Sequence, residues 1–267
     1  MKKKKQDISK HDLIFNTPDT WQELQDKVCL LLNQVGFKAE TNFLTKTPRG
    51  EVALDVYAVD PFSIDQISYV SECKNWESAV PQTIVHAFNT VMQETGANIG
   101  YIISKKGFQQ GAYDYSTNTN IKVFTFEELQ HRYFDRWFRQ YFRKEIFNLT
   151  EHFSGYVEPF NSRRTRYFET LNSEHQDRFV TLMGKYQMLE YYLTSLSTPE
   201  IGFSHKKEFP DDFELVNLDE LKLALSNSSG ILFESTCYSD LLIELKKTVN
   251  EITLKFDAFF GKNIFKE

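Results

Sequence analysis

The sequence predicts an α/β domain built on a mixed central sheet flanked by helices, followed by a mainly helical region. Three observations predict it. From about residue 36 to about residue 129, short strand-prone runs alternate with segments of helical pattern, the order expected of an α/β sheet. A well-punctuated helix start, Pro18-Asp19-Thr20, precedes that stretch. Beyond residue 150 the strand runs stop and apolar residues recur at helical spacing instead.

A mostly polar lead, residues 1–17, comes first and contains the basic run Lys2–Lys5, expected to be flexible and free to touch DNA. Asp19 or Thr20 then caps the opening helix, with Glu23 in its first turn, and Gly36 ends it. Two or three strands follow to Asn75, with Asp60-Pro61-Phe62 as a turn. The last of them opens on Gln66-Ile67-Ser68-Tyr69-Val70-Ser71, strand-prone and partly apolar as a central strand is. The remainder to about Leu129 alternates helix, strand, helix, strand. Residues 18–150 are therefore taken as one domain.

The region 151–267 reads differently. Ser154-Gly155-Tyr156-Val157-Glu158-Pro159 is a break, and one long helix is expected from Arg163 to Leu196. Thr198–Asp212 is loop-rich. A short helix opens at Leu218, Ser226 to Gly230 breaks it, and Tyr238 to Phe260 forms the last helix. No catalytic constellation occurs here, and oligomerisation, target sensing and partner docking all stay open as its role.

Composition excludes several classes. A chain of 267 residues can bury a sizeable core. No run approaches the roughly 18 apolar residues of a membrane span. The basic start has no apolar segment behind it, so a secretory signal is not expected. Cys29, Cys73 and Cys237 lack paired metal spacing, which fits reduced thiols in a cytoplasmic protein. The six histidines show no HxxxH or HxH spacing, which argues against zinc. Neither a Gly-rich phosphate loop nor a Gly-x-Ser-x-Gly elbow is present.

The formal charge of −6 argues against a wholly basic nucleic-acid coat but leaves local patches. Arg132, Arg136, Arg139 and Arg143 fall at i, i+4, i+7 and i+11, one stripe along a helix, and are candidate DNA contacts. A packing helix with snorkelling arginines is the plain alternative.

The chemistry concentrates at Glu72-Cys73-Lys74 and Asp55. Side chains alternate across a strand, so Glu72 and Lys74 share one face and Cys73 takes the other. Asp55 interrupts an otherwise apolar strand, where an unpaired carboxylate is costly to bury. Two carboxylates are hard ligands for Mg²⁺, which Mn²⁺ can replace, and the Cys73 carbonyl is a further candidate ligand. A lysine beside them can act on water or offset charge on a phosphate. Glu51, on the same strand face as Asp55, is a weaker metal candidate, and Gln82 a weaker phosphate contact. An ordinary ion pair on a solvated strand is the plain alternative for Glu72 and Lys74.

These residues resemble the type IV restriction endonuclease-like (Mrr-like) family of the PD-(D/E)xK nuclease superfamily. Trp21–Phe37 is similar to the family's opening helix, whose early glutamate would be Glu23, a further catalytic candidate. Gly50–Ala58 is similar to the strand carrying the catalytic aspartate, and Val70–Trp76 to the catalytic strand end. Downstream, Pro81–Phe88, Gly96–Ser104, Gly107–Tyr113 and Ile121–Leu129 resemble the helix, strand, helix and strand that follow. The helix around Tyr113 departs from the family in lacking a run of alanines. The resemblance covers about residues 18–130 and nothing beyond. It implies a restriction-endonuclease-like fold and a Mg²⁺-dependent DNA endonuclease serving defence against foreign DNA. A catalytically silent module for DNA binding or assembly, and an RNA-directed nuclease, are the alternatives. Pairing of two copies, or a partner protein, through the C-terminal helical region is a further expectation.

Overall fold

The computed structural model describes residues 13–197 and 217–266. The Lys2–Lys5 run and the loop-rich segment expected at Thr198–Asp212 lie outside the described residues. The chain divides into two compact units, Phe15–Gln140 and a second made of Tyr141 onward together with Leu13 and Ile14.

The first unit has the expected α/β fold. Thr20 caps α1 (Trp21–Gln34), its hydroxyl accepting from the Glu23 N–H at 3.1 Å. Leu24, Val28, Leu31 and Leu32 form the helix's buried face. Gly36 sits at φ +93°, a conformation that costs glycine little and an L side chain much. A hairpin follows, β1 (Lys38–Thr47) antiparallel to β2 (Gly50–Val59). After a turn in which Asp60 Oδ1 accepts from the Phe62 N–H, β3 (Ser68–Lys74) pairs antiparallel with β2. The direction then changes. β4 (Ile99–Ser104) and β5 (Ile121–Thr125) join in parallel, giving a mixed sheet of order β1-β2-β3-β4-β5.

Parallel strands need crossover connections, and helices supply them. α2 (Gln82–Thr95) leads from β3 to β4, and α3 (Gln110–Thr117) from β4 to β5. Val85, Phe88 and Met92 of α2 join Val70 of β3, Ile102 of β4 and Ala112 of α3 in one buried cluster. The fit is tight at Gly100, where an added Cβ would lie 2.6 Å from the Phe88 ring and 2.8 Å from the Met92 sulfur. Gly100→Ala is therefore expected to lower stability by about 1–3 kcal/mol through overpacking, read as a drop in melting temperature. An unchanged melting temperature would count against this packing.

Thr125 and Glu128 form a reciprocal capping box at the start of α4 (Phe126–Trp137). α4 gives way to a π-helical segment, Phe138–Phe142. This corrects the expected arginine stripe. A π turn takes in an extra residue, so the 3.6-residue spacing from Arg132 to Arg143 is not kept.

The second unit is helical: α5 (Arg143–Val157), α6 (Ser162–Phe168), α7 (Ser173–Ser197), α8 (Leu218–Ser229) and α9 (Tyr238–Phe260). The carbonyls of Leu13 and Ile14 accept from the N–H groups of Tyr238 and Ser239, both at 3.0 Å. Tyr156 stacks on Phe256 and donates to Asp257 Oδ1 at 2.5 Å. Two expectations shift. Ser154 and Gly155 stay helical, because Gly155 serves close packing: a Cβ there would meet the Phe265 ring at 2.6 Å. The single helix expected from Arg163 to Leu196 is two, since Asn172 Oδ1 accepts from the His175 N–H at 2.9 Å and starts a new one. Among the described residues no helix is long and apolar enough to cross a membrane.

Candidate active site

The ladder between β2 and β3 runs from Val59↔Ser68 to Val56↔Ser71, so its next step brings Asp55 level with Glu72. Asp55 Oδ2 accepts from the Cys73 N–H at 2.7 Å, which pins the carboxylate there. Lys74 Nζ donates to Glu72 Oε1. Strand alternation puts Glu72, Lys74 and the buried Val70 on one face. The Cys73 thiol points the other way, and burial pushes it well above its ordinary range, so it is an inert core group.

The Glu72 and Lys74 side chains keep 30% and 19% of their exposure, so the group is reachable yet largely shielded from water. Burial raises the Glu72 carboxyl above the usual glutamate range. The Lys74 hydrogen bond opposes that shift, and the Asp55 charge adds to it. Two half-buried neighbouring carboxylates with one lysine, bonded to Glu72, beside them are short of positive charge, which fits a small divalent cation. Among the described residues no group of three or more His, Cys, Asp or Glu side chains could hold a metal. Asp55 and Glu72 would thus be its side-chain ligands, with backbone oxygen and water completing the shell.

The start of α1 closes one side. Trp21 Nε1 donates to the Cys73 carbonyl at 3.2 Å, and Asn75 Nδ2 donates to the Asp19 carbonyl at 3.0 Å. The Cys73 carbonyl keeps a second lone pair for a cation. On the other side Lys74 Nζ lies 5.5 Å from the centre of the Trp76 ring. Trp21 and Trp76, each 40% exposed, were not singled out from the sequence. An indole at an otherwise polar helix start, and another just past the charged strand end, were the available signals.

A family model described as a restriction endonuclease, the Mrr catalytic domain, matches residues 19–133. That match, together with the mixed five-stranded sheet, supports an Mrr-like restriction-endonuclease fold for this part of the chain. Two solved structures are similar to the chain. One, described as a protein of unknown function, AF1548, shares 16% identity over 62% of this chain and 96% of its own, with a TM-score of 0.37. The other, the DNA modification-dependent restriction endonuclease AspBHI, shares 14% identity over 46% of this chain and 38% of its own, with a TM-score of 0.30. Both scores are low, and neither likeness bears on what this chain does. No curated protein matches significantly.

Within residues 19–133 Asp55, Glu72, Lys74 and the Cys73 backbone come together, and the other candidates have partners of their own. Glu23 accepts from the Asp19 N–H at 2.8 Å and pairs with Lys27 at 2.5 Å. Its carboxyl is held low, by Lys27 first, in a helix-capping role. Glu51 is exposed opposite Lys46, four residues and about 13 Å along the strand from Asp55. Gln82 Nε2 meets His86 Nε2 at 3.1 Å, and its other amide atom backs onto Gly111 of α3. Arg139 pairs with Asp135 at 2.7 Å. Arg132 and Arg136 lie on aromatic rings, and Arg143 begins α5 of the second unit.

Proposed function

We propose that the protein is a metal-dependent endonuclease that hydrolyses DNA phosphodiester bonds. Its cofactor is Mg²⁺, replaceable by Mn²⁺; the family resemblance supports a role in defence against foreign DNA, and the reduced cysteines a cytoplasmic location. One observation carries the reading: the 2.7 Å bond from the Cys73 N–H fixes Asp55 beside Glu72 and Lys74 on adjoining strands.

A bound Mg²⁺ would supply positive charge at the scissile phosphate and acidify a water. Asp55 would be one carboxylate ligand, held in place by its bond to the Cys73 N–H. Glu72 would be the other carboxylate ligand, with the Cys73 carbonyl beside it. Lys74, beside both carboxylates, would donate to a phosphate oxygen or orient the attacking water. Trp21 and Asn75 hold the end of β3 against the start of α1.

The test is incubation of the purified chain with plasmid, linear duplex and single-stranded DNA, and with RNA, in Mg²⁺. DNA cleavage is expected. Cleavage of RNA alone would replace the substrate class, and DNA binding with no cleavage in any condition would favour the silent module. Cutting both strands needs two sites or two visits, so residues 151–267 serve in this reading to pair two copies or dock a partner. Sedimentation at micromolar concentration should show a dimer, and a clean monomer would remove the pairing.

A further inference from the structure

A second concave site lies in the same unit, a pocket of about 330 Å³. Phe37, Tyr101 and Tyr133 are buried at its floor, and Lys122, Arg132 and Arg136 line it with them. Tyr69 and Ile99 open β3 and β4, and Thr119 and Asn120 lead into β5, so the pocket sits where the parallel strands begin. Lys74 ends β3, five residues and about 17 Å farther along, and Tyr69 points to the opposite face from Lys74. The pocket is therefore separate from the candidate active site.

Its chemistry is specific. Three cations line it and no carboxylate does. Among the described residues none of the three is ion-paired: Arg136 donates to Gln140 at 3.2 Å and lies 4.8 Å from the Phe37 ring centre. Arg132 lies 5.6 Å from the Phe124 ring centre and 6.0 Å from that of Tyr133, while Lys122 reaches only the Thr119 carbonyl at 3.5 Å. Asp60 is near enough to help push the Tyr69 hydroxyl up, yet it pairs with none of these cations. The Arg132 guanidinium also faces the Tyr101 and Tyr133 hydroxyls, so both arginines are held by rings and neutral partners with no carboxylate to neutralise them, the arrangement suited to a phosphate.

The rest of the lining asks for more than phosphate. Tyr101 and Tyr133 join their hydroxyls at 2.8 Å, and Tyr69 and Phe37 stack at 4.9 Å, giving an aromatic wall. Asn120 and Thr119 add a polar edge. A bare phosphate would leave the half-buried Tyr69 and Ile99 uncovered, and a neutral nucleoside would leave the cations unmatched. We infer that this pocket binds a nucleoside phosphate, either a free nucleotide or the phosphorylated terminal nucleotide of a DNA strand.

Calorimetry in EDTA, where no cleavage intervenes, tests this apart from the nuclease reading. The probes are deoxyadenosine 5′-monophosphate, inorganic phosphate, deoxyadenosine and a short oligonucleotide with and without a 5′-phosphate. The nucleotide should bind at least about tenfold tighter than phosphate or nucleoside, and less tightly as salt rises. Lys122→Ala and Arg132→Ala should each weaken it about tenfold or more, and Lys122, being exposed, can be changed without disturbing the fold. A phosphorylated oligonucleotide binding tighter than the mononucleotide assigns the pocket to DNA ends, and the reverse order to a free nucleotide. No nucleotide binding, phosphate binding as tightly as nucleotide, or affinity unchanged in both variants would overturn the inference.

Discussion

Lys74→Ala is expected to lower DNA cleavage by about two to three orders of magnitude while leaving the melting profile near native. The expectation rests on what Nζ does. It is the positive group bonded to Glu72, beside the anchored Asp55, at the end of β3. Its loss leaves Glu72 next to Asp55 without that counter-charge. The carboxyl of Glu72, already raised by burial, can take up a proton instead, so the fold loses little. Lys74→Arg should rescue poorly, because a planar fork does not replace a compact ammonium in a half-buried site. Full cleavage by natively folded Lys74→Ala protein would overturn the assignment.

Asp55 should separate chemistry from folding. Asp55→Asn keeps an oxygen to accept the Cys73 N–H, so it should fold normally yet cleave at least about a hundredfold more slowly, having lost the ligand charge. Asp55→Ala also removes the acceptor at 2.7 Å and should cost a further 1–3 kcal/mol or so of stability through the unsatisfied N–H. Cleavage rates and melting temperatures of the two variants, side by side, check this. Equal melting temperatures would show that the Asp55 bond contributes little to the fold, and native cleavage by Asp55→Asn would remove it from the chemistry.

The α/β order and the site core were legible in the sequence because both depend on short periods. Strand alternation alone puts Glu72 and Lys74 on one face, and the Pro18-Asp19-Thr20 punctuation marks α1 within a residue. Features set by tertiary contact were not legible. The π segment at Phe138–Phe142 adds a residue that a 3.6-residue reading does not register, so the arginine stripe looked continuous. Gly155 reads as a breaker, but its neighbour Phe265 lies 110 positions away. Glu23 enters the candidate set by resemblance alone, and its pair with Lys27, one turn on, is not marked by any strand or helix period. The second pocket gathers residues from α1's end, three strands and α4, and no linear motif marks such a set.

The central claim is that hydrolysis runs through a divalent cation held at Asp55 and Glu72. Plasmid cleavage followed as Mg²⁺ is titrated, then in excess EDTA, then with Ca²⁺ in its place, tests it most directly. Cleavage should rise with Mg²⁺, stop in EDTA and remain weak in Ca²⁺, which is larger and tolerates looser coordination. Cleavage that continues undiminished in excess EDTA would contradict the account.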